Sequence, residues 1–318
     1  MIDLVVAEAA CPGLCAPHKW LPSWLLYDEA GCTLYEQITR LPEYYLTRAE
    51  AEIFKRQSSD IVALASERGR RLAFAELGAG TALKTEALLD AALRAQGACV
   101  YLACDIAASS LEHAQRRLRR NLPEVELRTF IGSHVEASEA IASLPDRQVL
   151  LFIGSSIGNY ADDEAIQLLT RLRRSLRPGA VLLLGADMVK DPSVMQRAYD
   201  DAQGVTAAFS KNLLVRLNRD LDATFDVEAF RHVAVWNKAD SNIEVYLEAV
   251  RAQRVWVGAL GRELTFGDGE RIHTETCAKY DLPRIERILH RAGFARAQTY
   301  VDAAGLFAVH LAWLTAPG

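Results

Sequence analysis

No run of apolar residues in this chain is long enough to span a bilayer, which argues against a transmembrane helix. A secretory signature is missing as well: Met1-Ile-Asp-Leu-Val-Val-Ala-Glu-Ala-Ala10 carries Asp3 and Glu8 where a signal needs a basic flank and an unbroken apolar core. Cysteine is scarce and scattered, at 11, 15, 32, 99, 104 and 277, and no second cysteine–histidine pair joins Cys11 and Cys15 to build a metal site or disulfide framework. Neither a Ser-His-Asp order, a zincin helix nor a kinase set is present, and there are no internal repeats or low-complexity tracts. An excess of positive charge is also lacking, since 36 Lys and Arg stand against 41 Asp and Glu. The arginines are interspersed with acids or gathered in short runs such as Arg116-Arg-Leu-Arg-Arg120, which read as solvated helix faces rather than a nucleic-acid groove. These absences lead us to expect a soluble cytoplasmic protein with no metal, nucleic-acid or membrane partner.

What is there is a large apolar content, 50% of 318 residues, enough for one large domain or two modest ones. From about residue 60 to 189, short apolar runs alternate with amphipathic ones, the pattern of a parallel sheet with crossover helices. The expected strands are 72–76, 99–104, 126–130, 149–153 and 180–184, with helices at 84–95, 109–118 and 164–176, the last stopped by Pro178-Gly179. Residues 190 to about 280 break the pattern: one helix at 193–202, an Asn/Arg/Asp-rich region, then an antiparallel meander of strands at 231–237, 243–257, 263–266 and 272–280. A helix at 282–292 and strands near 297–301 and 306–313 then complete the first pattern. The first 58 residues, rich in Trp, Tyr and Pro, are expected to pack on the insertion.

The chemistry-bearing stretch is Arg71-Leu-Ala-Phe-Ala-Glu-Leu-Gly-Ala-Gly-Thr-Ala-Leu-Lys84. A strand ending at Glu76 opens into a turn where Gly78 and Gly80 let backbone approach a ligand, and the next strand delivers Asp105 to the ribose hydroxyls of an adenosine moiety. The turn lacks a third glycine at dinucleotide spacing and any Gly-Lys-Ser/Thr, so a nicotinamide fingerprint and a phosphate loop both fit badly. S-adenosylmethionine, which has no phosphate, fits better. The strand at 149–153 runs into Gly154-Ser-Ser-Ile-Gly-Asn159, offering Ser155, Ser156 and Asn159 to the same crevice, although Asn159 reads equally as a cap or turn residue. Alternation along Ile272-His-Thr-Glu-Thr-Cys277 would put His273, Glu275 and Cys277 on one face, as a pocket, a metal site or a solvated surface.

The runs Leu41-Pro-Glu-Tyr-Tyr-Leu-Thr-Arg-Ala-Glu50, Glu76-Leu-Gly-Ala-Gly-Thr81, Phe152-Ile-Gly-Ser-Ser-Ile-Gly-Asn159, Asp187-Met-Val-Lys-Asp191, Ala198-Tyr-Asp-Asp-Ala-Gln-Gly-Val-Thr-Ala-Ala-Phe209, Leu217-Asn-Arg219 and Thr274-Glu-Thr-Cys-Ala-Lys279 together resemble the histidine Nα-methyltransferase family of ergothioneine biosynthesis, in order and over nearly the whole chain. The resemblance implies an α/β fold: a Rossmann-like class I methyltransferase sheet (59–189 plus 281–318) with an inserted α+β substrate domain (1–58 plus 190–280). It implies S-adenosylmethionine as cofactor, contacted by Gly78, Gly80, Asp105 and Gly154; Glu76 at the strand end and Ser133, whose hydroxyl can still hydrogen-bond, join them as cofactor candidates. It assigns the amino-acid carboxylate to Asn159 and Tyr199, the amine to Tyr27 as the catalytic candidate, and the side chain to Tyr44 and Glu275. The chain departs from the family at Gly132-Ser133-His134, where Gly-Asp is usual. It also has Val245 in place of a methionine and Cys277 in place of a serine.

The expected activity is therefore methylation of the α-amine of free L-histidine, repeated to the trimethylated betaine, by a monomer acting on a small molecule. Val245 and Cys277 keep a tryptophan- or tyrosine-like substrate open as the alternative. A non-catalytic S-adenosylmethionine-binding protein is a further rival, which calorimetry showing cofactor binding without amino-acid binding would favour.

Overall fold

The structure, a computed structural model, describes residues 2–67 and 69–316. Its strands are β1 (Lys19–Trp20), β2 (Leu72–Leu77), β3 (Cys99–Asp105), β4 (Val125–Ile131), β5 (Arg147–Phe152), β6 (Val181–Asp187), β7 (Phe230–Asn237), β8 (Asn242–Ala249), β9 (Gln253–Val257), β10 (Arg262–Phe266), β11 (Arg271–Ala278), β12 (Phe294–Val301) and β13 (Phe307–Leu314). Its α-helices are α1 (Leu4–Leu14), α2 (Glu29–Ile38), α3 (Leu46–Ser66), α4 (Glu86–Gln96), α5 (Ala108–Asn121), α6 (Ser138–Ala142), α7 (Asp162–Arg173), α8 (Pro192–Arg197), α9 (Val205–Leu221) and α10 (Leu282–Arg291). They group into two compact units, Met1–Tyr45 with Lys190–Cys277 and Leu46–Val189 with Ala278–Gly318. Among the described residues, no helix is long and apolar enough to cross a membrane.

The second unit is built on a seven-stranded sheet in the order β12-β13-β6-β5-β2-β3-β4. The neighbours from β6 to β4 run parallel, and β13 enters antiparallel to both β6 and β12. Strands β2, β5 and β6 are buried at every position, as expected of central parallel strands covered on both faces. Edge strand β4 is buried only at Val125 and is half-buried or exposed elsewhere. The strand order reverses between β2 and β5, so the loops after these two strands open at a topological switch point. Helix α7 ends at Arg173, three residues short of expectation, because the amides of Arg174, Ser175 and Leu176 bond three residues back and tighten the last turn before Pro178-Gly179.

The sheet of the first unit has the order β1-β11-β8-β7, with β9 and β10 forming a separate antiparallel pair. This corrects the expected meander. The run read as one strand from 243 to 257 breaks after Ala249, where the amides of Ala249 and Val250 turn to the carbonyls of Glu270 and Ala229. The chain leaves as the β9–β10 hairpin and returns beside β8, while Lys19-Trp20 adds a parallel strand to β11. Alternation identifies strands but not their partners.

Two helices also depart from expectation. The helix expected at 193–202 stops at Arg197, because Asp201 accepts the amides of Gln203, Val205 and Thr206 and starts α9 instead. Helix α9 occupies the region read as irregular; Phe209, Leu213, Leu214, Leu217 and Leu221 form its buried stripe. Helix α3 begins at Leu46 and packs on α4 and β13, so the compact units divide at 45/46 and 277/278 rather than 58/59 and 280/281.

Candidate active site

In the second unit, the turn after β2 places Gly78 at φ 68° and Gly80 at φ 53°, and the loop after β5 places Gly154 at φ 76°. These left-handed conformations favour glycine. At Gly80, open space lies where a Cβ would project, so a ligand can approach the backbone. Asp105, at the end of β3, accepts the Gly80 amide at 2.8 Å and the Ala107 amide at 2.9 Å. A carboxylate has about four acceptor positions, so capacity remains for hydroxyls of a ligand. Large aliphatic side chains stand exposed around the same strand ends, with Leu83 at 55%, Ile106 at 41% and Ile131 at 62%. Glycine turns, one acid and an apolar rim suit an adenosine carrying no phosphate, so the residues present fit S-adenosylmethionine.

Two of the expected cofactor residues, Glu76 and Ser133, are engaged with protein groups. Glu76 is buried and turned inward, accepting the hydroxyls of Thr85 and Tyr101. Burial pushes its carboxyl up to about 7 against those two bonds and the charge of Lys84. It holds the end of β2 rather than facing a ligand. Ser133 is exposed; its amide donates to Glu136 at 2.7 Å and its hydroxyl accepts the Glu136 amide at 3.4 Å, which is a local turn.

The sequence reading missed Glu50, Lys84 and His134. Glu50 on α3 is fully buried, accepts the Gly154 amide at 2.8 Å and pairs with the Lys84 ammonium, which follows the glycine turn. The signal was an acid on an otherwise apolar helix stripe. Its pairing with Lys84, 34 positions away, could not be read from local pattern. After β5, Ser155 is buried and its hydroxyl accepts the Asp187 amide at 3.0 Å, joining the ends of β5 and β6. Asp187 in turn pairs with buried Lys279 at 2.9 Å. Ser156 lies nearer the glycine turn, its hydroxyl donating to the Ile153 carbonyl. Asn159 is half-buried, and its side-chain amide makes no hydrogen bond among the described residues.

In the first unit, five aromatic rings form a chain of close contacts. Tyr27 meets Tyr35 and Phe209 edge-on, each at 5.5 Å; Tyr35 meets Tyr44 at 6.3 Å; and Tyr44 meets Tyr199 at 6.3 Å. These separations suit edge-to-face packing. The Tyr35 and Tyr44 hydroxyls lie 3.4 Å apart, and Tyr35 is a member of the group that the sequence reading did not single out. Burial raises the Tyr27 phenol well above its ordinary value, and the charge of Glu275 with smaller effects of Tyr35, Cys277 and Cys32 adds to this. Tyr27 therefore stays protonated and offers a hydroxyl, not a base. Tyr199 is fixed from behind, since its carbonyl accepts His232 Nε2 at 2.7 Å while His232 Nδ1 meets Ser210 at 2.9 Å.

Glu275 and Cys277 thus act on one phenol, and β8 brings Val245 alongside them: the Thr274 hydroxyl donates to the Val245 carbonyl at 3.1 Å. The His273 ring hydrogen-bonds the Glu275 backbone. It packs edge-on against Tyr246 at 5.3 Å, and its Nε2 meets the Thr276 hydroxyl at 3.0 Å. Among the described residues, no group of three or more His, Cys, Asp or Glu is placed to hold a metal ion.

The model of a family described as "Histidine-specific methyltransferase, SAM-dependent" matches residues 6–314. A Mycobacterium tuberculosis protein named histidine N-alpha-methyltransferase is 42% identical over 303 residues, which cover 94% of this chain and 92% of that protein. The protein of the same name from Mycolicibacterium smegmatis is 40% identical over 302 residues, with the same shares covered. Ergothioneine biosynthesis protein 1 of Neurospora crassa is 29% identical over 296 residues, 91% of this chain but 33% of that longer protein.

Proposed function

The chain belongs to the family of histidine-specific, S-adenosylmethionine-dependent methyltransferases, and from this we propose that it methylates the α-amine of free L-histidine, repeating the transfer to the trimethylated betaine. The observation that carries the reading is the group of packed aromatic rings around Tyr27, a desolvated phenol on which the negative charge of Glu275 acts. An imidazole N–H can donate to Glu275, a hydrogen bond that an apolar side chain cannot make, and a site built on such a bond discriminates against analogues lacking the donor. The names of the two mycobacterial relatives support the same substrate.

The cofactor supplies a methyl group already activated on a sulfonium. When bound, that methyl would pass to the neutral amine while the electron pair of the S–C bond stayed on sulfur, and each ammonium so formed would lose a proton to solvent before the next transfer. The protein's task is positioning, which supplies roughly 7–11 kcal/mol in favourable cases. Tyr27 orients the amine through its hydroxyl. The faces of Tyr27, Tyr35 and Tyr44 tolerate the cation that grows as methyls are added, because aromatic faces attract quaternary ammonium groups. Tyr44 is assigned to the substrate side chain and Tyr199 to its carboxylate.

Val245 and Cys277 favour a second reading, an aromatic amino acid, because neither side chain offers a strong hydrogen bond to an imidazole. Calorimetric titration of histidine, tryptophan and tyrosine into the protein saturated with S-adenosylhomocysteine decides between them. Tighter histidine binding supports the first reading, and tighter tryptophan or tyrosine binding replaces it with the second.

A further inference from the structure

We propose that His134 contacts the cofactor, its Nε2–H donating a hydrogen bond to S-adenosylmethionine held against the Gly78 turn, with Tyr160 as the residue that fixes this orientation. The proposal rests on the reading of Gly78 and Asp105 as the cofactor cradle.

His134 lies two residues beyond Gly132, whose φ of 156° redirects the chain as it leaves β4. Its ring is held on two sides. It stands edge-on to Phe152 of β5 at 5.3 Å, and its Nδ1 is 3.2 Å from the Tyr160 hydroxyl. The other ring nitrogen points to the glycine turn: a Cβ built on Gly78 would lie 3.8 Å from His134 Nε2 and 3.9 Å from Ser156 Oγ. Nε2 has no protein hydrogen-bond partner among the described residues. A half-buried ring fixed at one nitrogen, with the other directed at a turn left open by glycine, is arranged to meet a ligand.

The donor assignment follows from Tyr160. Its hydroxyl makes no other hydrogen bond among the described residues and is assigned as the donor to Nδ1, the arrangement in which the single proton of the neutral imidazole lies on Nε2. Burial favours that neutral form, with the Asp105 carboxylate opposing it. The group facing the cofactor is therefore an N–H, suited to a ribose oxygen or an adenine ring nitrogen. This gives the unusual Ser133-His134 sequence a use. The side chain one residue beyond Ser133 supplies the polar contact that exposed Ser133, engaged with Glu136, does not.

The test is calorimetric titration of S-adenosylhomocysteine into the full chain and its variants, with unfolding midpoints recorded without ligand. His134→Phe keeps an aromatic ring against Phe152 and should raise Kd about three- to tenfold, the effect of one neutral hydrogen bond. His134→Gln retains an N–H donor and should lose less. Tyr160→Phe should weaken binding by less than His134→Phe, and the double variant should bind no more weakly than His134→Phe alone, because Tyr160 acts only through His134. Wild-type affinity in His134→Phe overturns the contact, and losses that add in the double variant overturn the role of Tyr160. Should His134→Phe not fold, wild-type affinity in both His134→Gln and Tyr160→Phe, or equal loss in His134→Gln and a His134→Ala control, overturns the donor assignment. Failure of the wild-type chain to bind S-adenosylhomocysteine would instead defeat the cofactor reading itself.

Discussion

Asp105→Ala should weaken cofactor binding far more than it weakens the fold. Asp105 is one charged acceptor serving two purposes: its oxygens hold the Gly80 and Ala107 amides at 2.8 and 2.9 Å, and its remaining lone pairs are assigned to the ribose hydroxyls. Hydrogen bonds to a charged group contribute roughly 1.5–3 kcal/mol each, and the two amides, near solvent, recover part of their loss by binding water. A net loss of about 2–3 kcal/mol in binding corresponds to a roughly 30- to 150-fold rise in Kd for S-adenosylhomocysteine. The fold should lose about 1 kcal/mol from the two freed amides, a fall of roughly 2–4 °C in unfolding midpoint. Asp105→Asn is the sharper variant. Its amide group presents one acceptor where two backbone N–H groups need one each, so it should bind nearly as weakly as the alanine variant. Calorimetry at fixed ionic strength measures both, and wild-type affinity in Asp105→Asn would refute the assigned charged acceptor.

Glu50→Gln removes the buried partner of Lys84, whose side chain is only 23% exposed, and should lower the unfolding midpoint by roughly 4–8 °C; adding Lys84→Met should cost less than the sum of the single changes. His310, buried on β13, has its ionisation pushed down to about 4 by burial. Its folded value thus lies below the ordinary 6.5, so its contribution to stability is complete above that pH and is lost as pH falls toward 4. His310→Leu, which removes a ring whose Nε2 has no partner, should give a shallower fall in urea midpoint across that window, though not a flat one, because burial lowers the ionisation of His232 as well. Glu275→Ala should reduce kcat/KM for histidine by about 1–3 kcal/mol in transition-state terms while sparing tryptophan, and Cys277→Ser should leave histidine turnover equal or improved; the reverse ranking in steady-state kinetics would favour the aromatic substrate.

The parallel sheet was legible because its strands are short apolar runs separated by amphipathic helices, and β2, β5 and β6 are buried throughout. The glycine turn and Asp105 were legible for a related reason: a strand end, a positive-φ turn and an acid at the next strand end lie within about thirty residues. What failed was non-local or masked. Helix α9 hid behind its Asn, Arg and Asp content although its leucines recur at helical spacing. The pairing of Lys19-Trp20 with β11 joins residues about 250 positions apart, which no local signal reports. The inward bonds of Glu76 were not legible, because an acid at a strand end looks the same in sequence whether it faces a ligand or the Thr85 and Tyr101 hydroxyls. Glu50, Lys84, Tyr35 and His134 gain their significance from neighbours on other elements.

The most direct test of the central claim is incubation of the purified chain with methyl-labelled S-adenosylmethionine and an equimolar mixture of the twenty amino acids, with products identified by fragmentation mass spectrometry. Label should fall on histidine alone, on its α-nitrogen, accumulating in successive steps to the trimethylated species. Label on the imidazole ring, or on another amino acid in preference to histidine, would contradict that claim.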